Sequence, residues 1–299
     1  MRHCLFVLAA ALPTASLAAQ GAILDVLDGE TLYEKGFLFT LGQELTARDT
    51  LRQGSQRVQD PLQQQEREWR TNAALQYGLR HDLQIGLSLD WADLAHTGIG
   101  IDEHGQGIGD LELLAKYRFL RLDGKGFATN FALLGGLSLP TGADDQQSGG
   151  VRIEPDLQPG SGSVDPMLGL AVTHEPGRWR FNAATMAHLR TDLDHDDTNP
   201  GSDVLLDLEI GNRFWLEPYP GPFMRLDLVL RYVWEDQDRQ LTRLADTGGE
   251  RATVGINWAF RPRPTLDFQL YLETPFAQHV NGTQLAEDWR VDFTFGYRF

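Results

Sequence analysis

The sequence predicts an all-β fold, a transmembrane antiparallel up-and-down β-barrel of about 12 strands. Three observations predict it: apolar residues recur at every second position, no apolar run after residue 20 is long enough for a membrane helix, and short links alternate with long ones. A strand turns successive side chains to opposite faces, so a period of two marks one apolar and one polar face. A membrane helix needs roughly 18 consecutive apolar residues to cross the hydrocarbon, so this chain can span a bilayer only with strands.

The chain opens with an address. Arg2 and His3 precede an apolar run from Leu5 to Leu12, and Ser16 and Ala18 have the small-residue spacing that a signal peptidase reads. Cleavage is expected after about Ala18, which makes 1–19 a signal peptide, 20–33 a short N-terminal segment and 34–299 the barrel. The single cysteine, Cys4, lies in the leader, too early for a lipoprotein attachment site, so the mature chain is expected to carry no thiol for a disulfide or a Cys-ligated metal. Loss of Arg2 takes the formal net charge from -16 to -17. That excess argues against nucleic acid, whose phosphates require Lys and Arg, and speaks to solubility and repulsion, not to fold. Gly21 to Glu34 can form a short amphipathic piece, expected to enter the lumen as a plug.

The strands follow in order. Segments near 37–48 and 68–78 come first, then Leu83, Ile85, Leu87, Leu89 and Trp91, and then Leu111, Leu113, Ala115, Tyr117 and Phe119. The row from Phe127 to Leu139, a segment near 164–174, and Trp179, Phe181, Ala183, Thr185, Ala187 and Leu189 continue the pattern. Val204 to Ile210, Met224 to Trp234, Val254 to Phe260, Leu266 to Leu272 and Trp289 to Phe299 complete it.

The opposite faces carry the candidate pore-lining residues: Asp110, Glu112, Lys116, Arg118, Arg180, Asp207, Glu209, Arg225, Asp227, Arg231, Arg290, Asp292 and Arg298. A ring of one sign would filter ions, whereas mixed signs favour cross-strand salt-bridge ladders that narrow the lumen. Aromatic residues stand near the ends of the apolar rows at Trp91, Phe119, Phe127, Trp179, Trp234, Phe260, Trp289 and Phe299, as two interfacial girdles require.

Connection lengths test the same reading. Short links with turn chemistry fall at 80–82, 121–126, 175–177, 217–222 and 261–264, and longer ones near 49–67, 92–109, 141–163, 190–202, 235–250 and 276–288. Their alternation gives an even strand number with both termini at the short-link end. In lipid every backbone N–H and C=O must be paired within the protein, so the sheet must close. With the leader, this places the chain in the outer membrane of a Gram-negative cell, among membrane lipid and lipopolysaccharide.

Four segments carry a resemblance: Tyr77-Gly-Leu-Arg-His-Asp-Leu-Gln-Ile-Gly-Leu87, Gly107-Ile-Gly-Asp-Leu-Glu-Leu-Leu-Ala-Lys-Tyr-Arg-Phe119, Gly136-Leu-Ser-Leu-Pro-Thr-Gly142 and Gly160-Ser-Gly-Ser-Val-Asp-Pro166. Together they resemble the "meta-pathway of phenol degradation" family of outer-membrane transporter-like barrels, over about residues 33 to 299. The resemblance implies a channel or carrier for small, often hydrophobic or aromatic compounds, and carries over no binding residue; with the barrel reading, passage is expected by passive diffusion, without a cofactor. The C-terminal row with Tyr297 and Phe299 is similar to the signal that the outer-membrane assembly machinery recognises.

Other chemistry is weaker. Asp192 to Asp203 offers carboxylates at positions 1, 3, 5 and 12 of a calcium-loop-like spacing, but lacks the glycine at position 6 and the Glu at position 12, so a solvated acidic loop is the better reading. Gly105-Gln-Gly-Ile-Gly109 opens a strand and no helix, which excludes a dinucleotide site and leaves its glycines to a turn. An outer-membrane lipid hydrolase would need converging Ser, His and carboxylate groups, and no motif couples His188 to Ser138. A structural or adhesive barrel without transport is the remaining alternative, suggested by the long acidic loops.

Overall fold

The computed structural model describes residues 27–148, 150–191, 199–239 and 242–299. The predicted signal peptide and residues 192–198 of the acidic loop lie outside them. Twelve strands form the wall: β1 (Phe37–Arg48), β2 (Gln65–Arg80), β3 (Leu83–Gly98), β4 (Leu111–Gly124), β5 (Phe127–Leu139), β6 (Asp165–Pro176), β7 (Trp179–His188), β8 (Asp203–Leu216), β9 (Phe223–Glu235), β10 (Gly249–Arg263), β11 (Leu266–Ala286) and β12 (Trp289–Arg298). Each pairs antiparallel with the next, and β12 returns to β1. The seam is tied by reciprocal backbone bonds, with Phe37 N donating to the Phe299 carbonyl at 2.8 Å and Phe299 N donating to the Phe37 carbonyl at 3.0 Å. Among the described residues every wall strand has a hydrogen-bonded neighbour on both sides, so the sheet presents no open edge to lipid, which is the condition hydrocarbon imposes.

The alternation sorts side chains as the two solvents demand. On β9, Leu226, Leu228, Leu230, Tyr232 and Trp234 point outward and exposed, while Asp227, Val229, Arg231 and Val233 are buried inside. The outward aromatics gather at two levels. Trp69, Trp91, Trp234 and Trp289 stand toward the long-loop end, while Phe119, Phe127, Trp179, Tyr297 and Phe299 stand toward the short-turn end. Phe260 belongs to that second level through a half-buried stack with Trp258 and Phe268.

Two connections differ from the lengths read in the sequence. The stretch near 276–288 is no free loop: β11 runs to Ala286, pairs with β10 as far as Val280, bends at Gly282 (φ +59) and then pairs with Thr50–Gly54. The link after β3 folds back as a ribbon, Ile101–Ile108, on the upper half of β3. Within it Gly105 serves a close approach and not a turn, since a Cβ there would lie 1.8 Å from the Leu157 carbonyl oxygen.

Candidate functional site

The lumen is occupied by the segment that precedes β1. Leu27 is buried among Leu134, Met167, Ala171, Ala184, Met186, Leu205 and Val233, the apolar cluster on the inner wall. Its carbonyl accepts from Asn182 Nδ2 at 2.8 Å, and Gly29 N donates to Thr173 Oγ1 at 2.8 Å. Gly29 lies so near the wall that a Cβ would sit 2.4 Å from the Asn130 carbonyl oxygen. Leu32 N donates to Gln84 Oε1 at 2.9 Å, and the Tyr33 hydroxyl donates to the Phe299 carbonyl at 3.0 Å.

Charge fixes the segment. The Asp28 carboxylate takes Lys116 Nζ at 2.6 Å and Arg180 at 2.9 Å. Arg180 also meets Glu30 at 2.7 Å, Glu175 at 3.2 Å and Glu209 at 3.4 Å. Burial in the barrel pushes the Glu30 carboxyl up, but Arg180, with Arg213 and Arg225 behind it, outweighs that and holds it down at about 2.

The rest of the inner wall is an ion-pair ladder. Arg231 pairs with Asp207 at 2.7 Å and Glu273 at 3.6 Å, and Arg290 with Glu273 at 2.7 Å and Asp292 at 3.4 Å. Both guanidinium groups lie against the ring of buried Tyr271. Arg70 joins Asp90 at 2.6 Å, and Arg48 joins Glu66 at 3.4 Å and Glu68 at 3.1 Å. Removing one member of such a pair leaves an uncompensated buried charge, which is why cations and anions alternate across neighbouring strands. Mixed signs in contact make a ladder and no single-sign ring.

Of the thirteen residues read as pore-lining, Glu112, Lys116, Arg180, Asp207, Asp227, Arg231, Arg290 and Asp292 are buried inside the barrel. Glu209, Arg225 and Arg298 are half-buried around an internal cavity of about 270 Å³ toward the short-turn end, which Lys116, Arg180 and Asp207 also line. Arg298 is in contact with Asp267. Two residues sit elsewhere. Arg118 is at the short-turn rim, donating to the His81 carbonyl at 2.6 Å. Asp110 stands one residue before β4 and clamps the following loop, accepting from Gly142 N at 2.9 Å, Ser161 N at 2.7 Å and Ser161 Oγ at 2.6 Å. The cavity is also lined by Phe223, to which the alternation gives no role, and by Asp28 and Glu30 from the N-terminal segment.

His188 is 3.5 Å from Asp203 inside the wall. A serine–histidine hydrogen bond does form elsewhere, from Ser55 Oγ to His279 Nδ1 at 3.0 Å, on the exposed long-loop side.

These features define a class: a closed 12-stranded transmembrane barrel whose lumen is narrowed by an ion-pair ladder and by its own N-terminal segment. The model of the family described as "Putative MetA-pathway of phenol degradation" matches residues 82–286, and the chain belongs to that family. Its structure is similar to the COG4313 outer membrane channel from Pseudomonas putida F1, at 17% identity and a TM-score of 0.74, covering 91% of this chain and 98% of that one. It is also similar to the beta domain of the Bordetella autotransporter BrkA, at 12% identity and a TM-score of 0.51, covering 89% of this chain and 100% of that one. No curated protein matches the chain.

Proposed function

We propose that this chain is an outer-membrane channel that passes small, hydrophobic or aromatic compounds by passive diffusion, gated by residues 27–33. The observation that carries the reading is the cavity beside that segment. Phe223, Leu38 and Val229 offer apolar surface there, set among the polar side chains of Arg180, Arg225 and Arg298. A flat ring bearing a hydroxyl, as in a phenol, is the solute that such mixed walls accommodate. Sieving by width and lining suffices, with no covalent step and no cofactor.

On this reading the leader 1–19 is cleaved and the assembly machinery engages β12 through Phe299. The short turns then face the periplasm and the long loops face lipopolysaccharide. Planar-bilayer conductance of the refolded mature chain, residues 20–299, tests it. Discrete channels reduced by phenol support the reading. A folded, electrically silent barrel, also silent after removal of residues 20–33, would reject it in favour of a structural role.

A further inference from the structure

At the long-loop end, inward side chains of three adjacent strands stand in one row. Glu66 of β2 is opposite His96 of β3, and His96 is opposite Glu103 of the 101–108 ribbon. The outward positions at this height are exposed Asp93, Asp102 and His104, so the row lies above the hydrocarbon. Glu154 reaches the same point from the loop between β5 and β6. Its position is set by Ile153 and Leu157, which pack with Ala92 and Leu94 of β3, and by Leu157 N donating to the Glu154 carbonyl at 3.0 Å.

His96, Glu103 and Glu154 each present one ligand atom, all within 4.8 Å of one another. His96 is 3% exposed, yet neither ring nitrogen has a hydrogen-bond partner. The nearest group, Glu154 Oε2, is 3.6 Å from Nδ1. Oxygens of Glu66, Glu103, Glu154 and Asp156 are likewise buried without partners. A native interior satisfies its buried polar groups, so one imidazole and the carboxylates of Glu103 and Glu154, open toward a common point, call for a cation that accepts a lone pair from each.

We propose that His96, Glu103 and Glu154 bind one divalent transition-metal ion of the zinc class, fastening the loop between β5 and β6 across the mouth of the barrel. Neutral imidazole with carboxylates is a borderline donor set that suits Zn²⁺, whereas Ca²⁺ and Mg²⁺ take oxygen alone. Tetrahedral Zn²⁺ with bonds of about 2.0–2.2 Å spaces its ligand atoms by about 3.4 Å, so groups now within 4.8 Å of one another need to close by at most about 1.4 Å. The fourth position is left to water.

The test uses the refolded mature chain, stripped by chelator and titrated with Zn²⁺ by calorimetry, with metal content read by elemental analysis. One Zn²⁺ per chain is expected. Loss of an outer-shell partner costs about 10–100-fold in metal affinity, so His96→Ala and Glu154→Gln, which remove ligands, should each lose at least that much. His104→Ala, an exposed control, should bind as the parent does. Glu154 lies outside the wall, so its variant separates ligand loss from misfolding. Zn²⁺ should also slow proteolysis within residues 140–164 in the parent and not in Glu154→Gln. No binding by the parent, or equal binding by the parent and both ligand variants, overturns the proposal.

Discussion

Asp28→Ala should open the lumen. The carboxylate it removes is held by Lys116 and Arg180, whose side chains are 2% and 6% exposed. Truncating one partner of a buried charge pair costs about 3–5 kcal/mol, because the opposite charge stays behind in a poor environment. Both cations keep other acceptors, Lys116 the Glu30 carbonyl at 2.9 Å and Arg180 the carboxylates of Glu30, Glu175 and Glu209. The low end, about 3 kcal/mol, is therefore the appropriate figure. At about 1.4 kcal/mol per factor of ten, the ratio of docked to undocked segment falls roughly a hundredfold. Single-channel recording reads this directly as a rise of up to that factor in the fraction of time spent at high conductance. The ladder of the wall is untouched, so the variant should still resist unfolding in detergent until heated. Equal open fractions in the variant and the parent, with both barrels folded, would refute the idea that docking of this segment limits passage.

Three further outcomes follow from the same geometry. Gly29→Val places a Cβ 2.4 Å from the Asn130 carbonyl oxygen, and overpacking of about 1–3 kcal/mol should displace the segment and raise open time; recordings matching the parent would contradict that contact. Glu30 has a folded-state value held down at about 2 against an ordinary 4.5, so its contribution to docking is complete above about pH 4.5 and is lost as pH falls toward 2. Open fraction should therefore stay flat from pH 7 to 5 in this respect and climb below it, and a Glu30→Gln variant should lack that climb. Leu228 lies outward at mid-strand and half exposed; Leu228→Arg should destabilise the barrel by about 2–4 kcal/mol in a denaturant titration in vesicles, and a change under 1 kcal/mol would place that face outside the hydrocarbon.

The wall was legible because lipid and lumen impose opposite chemistry on neighbouring positions. Leu226 to Trp234 and the intervening Asp227 and Arg231 could be assigned to faces with no knowledge of register. Where both faces are wet, that contrast disappears. The stretch after Pro275 is hydrogen-bonded strand to Ala286, yet its mixed polar residues and Gly282 look like a loop, because nothing above the membrane selects for alternation. Asp110 has the parity of Glu112 and so was read as lining, but it lies just past the end of the ladder, where parity has no meaning. The His96, Glu103 and Glu154 row escaped the sequence for another reason. Its members come from a strand, a folded-back ribbon and a distant loop, and only the register of Glu103 against His96 brings them together. His96 at an inward position following Ala92 and Leu94 was the one available signal.

Residues 27–33 are joined to β1 through Glu34, Lys35 and Gly36 alone, and Lys35 turns there with φ 64 while its N–H donates to the Gly78 carbonyl at 2.7 Å. So short a tether keeps a released segment close to its own docking wall, at an effective concentration in the millimolar range for a short flexible linker. Release and return then become unimolecular events, independent of how much protein is present. A soluble peptide copying residues 27–33 would have to reach comparable concentration to compete, so the open interval in each molecule is set by the chain itself and not by any diffusing inhibitor.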